Sequence, residues 1–162
     1  MMSSHARTAL VGSAALVVAL VAAGCSPGGA VPTSPATASP GGGGAVTVEL
    51  QEWAVVPASN SAKAGALAFE VTNKGPEDVH EFVVIRTDLD PGALPTDATG
   101  AVDEGGAGIE VVDEIEDIPV GQTKQLSLTL APGKYVLICN IYDETEKEAH
   151  YKLGMRIAFT AT

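Results

Sequence analysis

At 162 residues the chain has room for one domain of ordinary size plus an appendage. Twenty acidic side chains against nine basic ones give a formal net charge of −11, and with no basic stripe to follow a phosphate backbone, no nucleic-acid partner is expected. Only two cysteines are present, so this is no disulfide-dense scaffold.

The appendage comes first. Met1 to Arg7 carries one firm positive charge, Arg7, and leads into the uncharged run Ala9 to Ala23 (ALVGSAALVVALVAA). That run is too short and too rich in small residues for a transmembrane helix, which needs about 20 apolar residues. Residues 1–24 read instead as a secretory signal peptide. The small residues before the first cysteine, Ala22-Ala23-Gly24-Cys25, resemble a bacterial lipobox, although Ala22 stands where Leu is usual. The resemblance implies cleavage before Cys25 and lipidation of its thiol, with two or more acyl chains holding the protein at the extracytoplasmic face of the cell membrane. The alternative is an ordinary exported protein with a chance cysteine at that point. Both place the mature domain outside the cytoplasm. Residues 25–45, rich in Pro, Gly, Ser, Thr and Ala, offer no large apolar side chain except Val31 and read as a flexible tether.

Residues 46–162 suffice for one compact core. Val46-Thr-Val-Glu-Leu-Gln51 alternates apolar and polar residues with the period of a half-buried strand. Ala66-Leu-Ala-Phe-Glu-Val-Thr72 repeats the pattern and ends in the turn sequence Asn73-Lys-Gly-Pro76. His80-Glu-Phe-Val-Val-Ile-Arg86 is more continuously apolar. Ile109 to Ile118 is ambiguous between a bulged strand and a short helical turn. Lys124 to Leu130, Tyr135 to Cys139 and Arg156 to Thr160 complete the set, with Pro132-Gly133 as a tight turn. Short strands with Gly/Pro punctuation and no helical periodicity predict an all-β sandwich. Thr87 to Ile118 holds ten acidic residues and no Lys or Arg. A solvated loop is the simpler reading of it, and electrostatic steering of a basic partner is the alternative.

Chemistry-bearing residues are few. With the leader removed, the histidines are His80 and His150, and with Cys25 lipidated the one free thiol is Cys139. An unpaired thiol in an oxidising compartment must be buried or occupied. Singly, each histidine fits a structural role, Cys139 a small core residue and Met155 core filling. Jointly they suggest a site. If the strands ending at Cys139 and starting at Arg156 share a pole of the sandwich, the loop between them carries Cys139, His150 and Met155 over that pole, and His80 enters from a third strand. Adjacent strands lie roughly 4.8 Å apart, close enough for convergence on one atom. Two imidazoles and a thiolate with a weak axial thioether suit copper, whereas a structural zinc site uses Cys and His without the thioether.

These elements resemble the cupredoxins, the family of plastocyanin, azurin, auracyanin and sulfocyanin. The matching stretches are the opening strand to Glu52-Trp53, Phe69-Glu-Val-Thr-Asn73 through Gly75 to His80-Glu-Phe-Val-Val84, Pro132-Gly-Lys-Tyr-Val-Leu-Ile-Cys139, and His150 with Gly154-Met155. The resemblance implies a Greek-key β-sandwich or barrel holding one type 1 copper ion, with His80 and His150 as imidazole ligands, Cys139 as thiolate and Met155 as axial ligand. It departs from the family in two places. Ten residues separate Cys139 from His150, where the family has a few, and Glu81 follows the first histidine where plastocyanin and azurin often have an Asn that ties down the cysteine loop.

The implied function is one-electron transfer by a monomer between membrane-associated redox partners, a partner protein or a membrane oxidoreductase, with His150 as the exit for the electron. Copper carriage or sequestration at the cell surface is the alternative, and a metal-free interaction module the third reading. No nucleophile–base pair or phosphate loop presents itself, and the histidines are too few for a second copper centre, so no enzymatic activity is expected.

Overall fold

A computed structural model describes residues 44–162. The expected signal peptide, the Cys25 lipidation site and the tether as far as residue 43 lie outside the described residues.

Two sheets face one another. The first contains β1 (Gly44–Gln51), β2 (Ala54–Pro57), β4 (Gly65–Gly75) and β7 (Thr123–Leu130), in the order β2-β1-β4-β7. The second contains β3 (Ser61–Ala62), β5 (His80–Thr87), β6 (Ile109–Ile118), β8 (Gly133–Ile138) and β11 (Arg156–Ala161), in the order β3-β11-β8-β5-β6. A small hairpin of β9 (Tyr142–Asp143) and β10 (Glu148–Ala149), then the one-turn helix α1 (His150–Leu153), fill the connection from β8 to β11. β1 pairs parallel to β4 and β3 parallel to β11, and the other ladders are antiparallel.

The period-two pattern explains the core. Val46, Val48 and Leu50 point inward from β1, and Leu67, Phe69 and Val71 do so from β4. Phe82, Val84, Leu137 and Phe159 meet them from the opposite sheet, and the Phe69 ring lies 5.2 Å from Phe82 and 5.4 Å from Phe159. Strand β5 is apolar on both faces because both are covered. Its outward residues Val83 and Ile85 join Val136 and Ile138 under Leu94 and Val102 of the 88–108 connection and under Tyr151 of α1. The acidic stretch is therefore more than a solvated loop. Its carboxylates face water while two apolar side chains anchor it to the sheet, and the Tyr151 hydroxyl ties it down by accepting the Leu94 N–H (3.1 Å) and donating to Pro91 O (2.8 Å).

The ambiguous segment 109–118 is a strand, β6, with register shifts against β5 at His80/Phe82 and Val84/Ile85. It pairs on one side only, and Glu110, Asp113, Glu114, Glu116 and Asp117 line it.

Asn73 locks the turn that delivers β5. Fully buried, it donates from Nδ2 to Asp78 O (2.7 Å) and Ile118 O (2.8 Å), and its Oδ1 accepts the Gly75 N–H (2.7 Å). Gly75 takes φ 54° there, a left-handed conformation that favours glycine.

Candidate metal centre

His80 is the first residue of β5, and Cys139 directly follows β8. Because β5 pairs with β8 through Val83 and Ile138, both side chains emerge at the same end of neighbouring strands. β8 in turn pairs with β11, Ile138 opposite Arg156, which sets Met155 beside Cys139. The Cys139 N–H donates to Met155 O (3.1 Å). The single turn of α1 then folds His150 back over this pair, with Met155 N–H donating to His150 O at 3.1 Å. Gly154 closes the turn at φ 134°, and a Cβ there would stand 2.9 Å from Trp53 O, so glycine is required on both counts.

The side chains converge. Cys139 Sγ lies 3.4 Å from His150 Nδ1 and 3.8 Å from His80 Nδ1, and the two Nδ1 atoms are 3.3 Å apart. All three potential ligand atoms fall within 4.8 Å of one another. The residues are buried: His80 and Cys139 are 0 % exposed and His150 is 2 %. Met155, also fully buried, belongs to the same apolar cluster as Cys139. The structure thus gathers His80, Cys139 and His150 into one group and seats Met155 against it.

The ten-residue excursion between Cys139 and His150 does not disturb this arrangement. It rises as the β9–β10 hairpin and closes at its neck, where His150 N–H donates to Ile141 O (2.9 Å). At the tip Asp143 Oδ1 accepts the N–H groups of Thr145 and Glu146. Glu81 stands where the resemblance leads one to expect Asn, and its carboxyl does the tying, with Oε1 accepting the Asn140 N–H at 2.8 Å. The Asn140 side chain reaches onward, accepting Val102 N–H and donating to Val102 O and Glu104. One residue therefore clasps the cysteine loop to both β5 and the acidic connection.

Burial governs the protonation of the group. It pushes the Cys139 thiol up to about 12, although the Glu81 N–H donates toward Sγ (3.4 Å) and opposes the shift. Burial, followed by the neighbouring His150, lowers His80 to about 4, and burial also lowers His150. Glu81 is raised to about 7, chiefly by burial, with the Asn140 N–H holding it back and Glu114, Glu104 and Glu116 raising it further. Without a cation the site favours two neutral imidazoles and a thiol. A bound cation would supply the charge that makes the Cys139 thiolate favourable, as metal–proton exchange at cysteine requires. The donor set fits such an ion: one soft sulfur and two borderline nitrogens face a common point, with a thioether residue packed alongside.

Several supporting residues have roles at the site that the sequence did not show, even where, as at Trp53, they stand in a family-like stretch. Trp53 is the chief one. Its ring lies 4.8 Å from that of His150 and 6.4 Å from that of His80, both edge-on, so it covers both imidazoles. Above His150 the surface opens into a recess of about 390 Å³ lined by Glu77, Asp78, Val79, Asp117, Ile141 and Asp143. The approach to the site is acidic.

No protein-family model matches the sequence, and no curated protein does so either. Solved structures do match. Reduced auracyanin from the photosynthetic bacterium Roseiflexus castenholzii superposes with a TM-score of 0.52 at 16% identity, covering 75% of this chain and 98% of its own. Auracyanin A, a "blue" copper protein from the green thermophilic photosynthetic bacterium Chloroflexus aurantiacus, gives 0.50 at 16% identity, covering 74% and 100%. Reduced rusticyanin gives 0.50 at 17% identity, covering 75% and 81%. At such identities the likeness speaks to the fold alone. Residues 44–162 carry the cupredoxin fold.

Proposed function

We propose that this chain is a type 1 copper protein that carries single electrons outside the cytoplasm, held at the membrane through Cys25 and exchanging electrons with membrane-associated redox partners. The observation that carries the reading is the preformed, buried group of Cys139 Sγ and the two Nδ1 atoms. Copper, when bound, supplies a one-electron couple. The chain supplies the rest. Cys139 would give up its proton and supply the thiolate, His80 and His150 would supply Nδ1, and Met155 would supply its thioether. Trp53 and the surrounding apolar cluster exclude water. The clasps at Glu81 and Asn73 hold β5 and the cysteine loop in fixed register, so little rearrangement accompanies a change of charge. Such burial favours retention of the ion over delivery to another protein, and so favours electron transfer over copper carriage.

His150 is the ligand that lines a surface recess, and electrons leave and enter beside it. The carboxylates of Glu77, Asp78, Asp117 and Asp143 around that recess suit a partner with a basic contact face, through steering that weakens as salt rises.

The test is spectroscopic. The fragment 44–162 should turn intensely blue on adding cupric ion, through thiolate-to-copper charge transfer, and Cys139→Ser should abolish the colour. A colourless wild-type adduct overturns the proposal. Reversible redox cycling with copper retained supports electron transfer, and ready loss of cuprous ion to a competing chelator supports carriage.

A further inference from the structure

One atom of the site is unaccounted for by the ligand set. Both imidazoles turn Nδ1 toward Cys139, so with an ion bound each must carry its proton on Nε2. His80 Nε2 is completely buried and has no hydrogen-bond partner among the described residues. A buried N–H with no acceptor is costly, and metal-bound histidines ordinarily donate this proton to a carboxylate, a carbonyl or water. The acidic atom facing it is Glu52 Oε1, at 3.8 Å. The Glu52 side chain is 11% exposed and is held from the other side, its Oε1 accepting the N–H groups of Asp78 (2.8 Å) and Glu77 (3.1 Å). Those residues belong to the turn leading into His80, so carboxylate and imidazole are fixed by one short piece of chain. Glu52 also adjoins Trp53, whose ring covers both histidines.

We propose that Glu52 is a positioning residue of the metal centre, whose carboxylate accepts the Nε2–H of His80 when Nδ1 holds the ion. It orients the imidazole, fixes its tautomer, and places a negative charge one ring away from the metal, which favours the higher oxidation state. The inference rests on the copper reading above and assigns Glu52 a role that the four-ligand set does not contain.

The experiment compares fragment 44–162 with its Glu52→Gln and Glu52→Asp variants. Glu52→Gln keeps an oxygen for the Asp78 and Glu77 N–H groups but removes the charge. Cupric and cuprous affinities are measured by chelator competition, and the ratio is checked by redox titration. In the diamagnetic cuprous form the His80 Nε2–H is followed by nitrogen-15 NMR. The expected result is that Glu52→Gln weakens cupric binding about tenfold more than cuprous binding. That ratio corresponds to a potential higher by about 59 mV for one electron. The Nε2–H signal of the wild type should be slowly exchanging and should move or broaden in Glu52→Gln, with partial restoration in Glu52→Asp. A wild type that is blue, together with a Glu52→Gln variant whose affinity ratio stays within twofold and whose Nε2–H signal is unmoved, overturns the role of Glu52 and leaves the copper reading intact. A wild type that binds no copper overturns the copper reading itself.

Discussion

Replacing Asn73 by alanine removes a hinge pin, and its cost can be worked from three hydrogen bonds. The side chain is fully buried and bonds Asp78 O, Ile118 O and the Gly75 N–H at 2.7 to 2.8 Å. Each such bond contributes about 1 kcal/mol net, and a buried group left without a partner adds more, so Asn73→Ala should lose roughly 3–4 kcal/mol. Asp78 O is partly reachable by water and keeps the figure from rising further. Typical domains hold only about 5–15 kcal/mol in total, so the loss is a large fraction. Urea denaturation of fragment 44–162 followed by circular dichroism is the assay. With a slope of about 1.5 kcal/mol per molar, the midpoint should fall by roughly 2–3 M. Asn73→Asp is the companion variant. It retains an acceptor for Gly75 but turns a carboxylate toward two carbonyls, so it should do no better than alanine at neutral pH. A loss below about 1 kcal/mol in the alanine variant would show that the turn finds other partners and that Asn73 does not position β5.

Cys139 is the only cysteine of fragment 44–162, and its burial and raised thiol should leave it unreactive toward a disulfide reagent in the folded metal-free protein. One equivalent should react at once in guanidinium, and rapid reaction in the native state would contradict the burial. Gly154→Ala forces a side chain into φ 134° against Trp53 O and should cost about 1–3 kcal/mol by urea titration, with weaker copper uptake, because His150 and Met155 flank the turn. An unaffected variant would mean the turn is not fixed as described. For Glu114, burial and then Glu104, Glu116 and Asp113 raise the carboxyl above its ordinary value of 4.5. The folded state thus holds that proton more tightly than the unfolded state, and the stability it contributes is present below 4.5 and lost as pH rises through the folded value. Glu114→Gln should raise the unfolding free energy at pH 7, by no more than about 0.5 kcal/mol after solvent screening, and the gain should vanish in acid. A gain that persists at low pH would point away from charge repulsion.

Much of the site was legible because its chemistry is rare in this chain. Two histidines, one free cysteine and a nearby methionine at strand ends left few alternatives, and strand pairing brought three of them within reach of one ion. The strands of the core were legible because residues such as Val46, Val48 and Leu50 alternate cleanly with polar neighbours. Strand β6 was not. Its acidic residues fall on both parities of the strand, since the register shifts turn the alternation out of phase. The anchoring of the acidic connection was hidden for another reason. Leu94 and Val102 are single apolar residues eight positions apart, and nothing local tells that Tyr151 and Asn140, far along the chain, will hold them. Glu52-Trp53 stood among the family-like stretches, but the contacts of both residues with the histidines arise from proximity in space and left no sign in the sequence. Glu81 was marked in advance by its departure from the expected Asn, though not its bond to the Asn140 N–H.

The outer strand β6 of the five-stranded sheet has a bearing on how copies of this protein meet. A strand paired on one side offers its remaining backbone groups to any passing chain, and a flat apolar one invites stacking into larger assemblies. Here the ten residues of β6 are interrupted twice in register, and a second molecule sliding alongside would bring its own Glu110, Asp113, Glu114, Glu116 and Asp117 against the same set. Like charges at strand spacing repel, so encounters along this border end in separation at low salt, and added salt is what would relax the barrier.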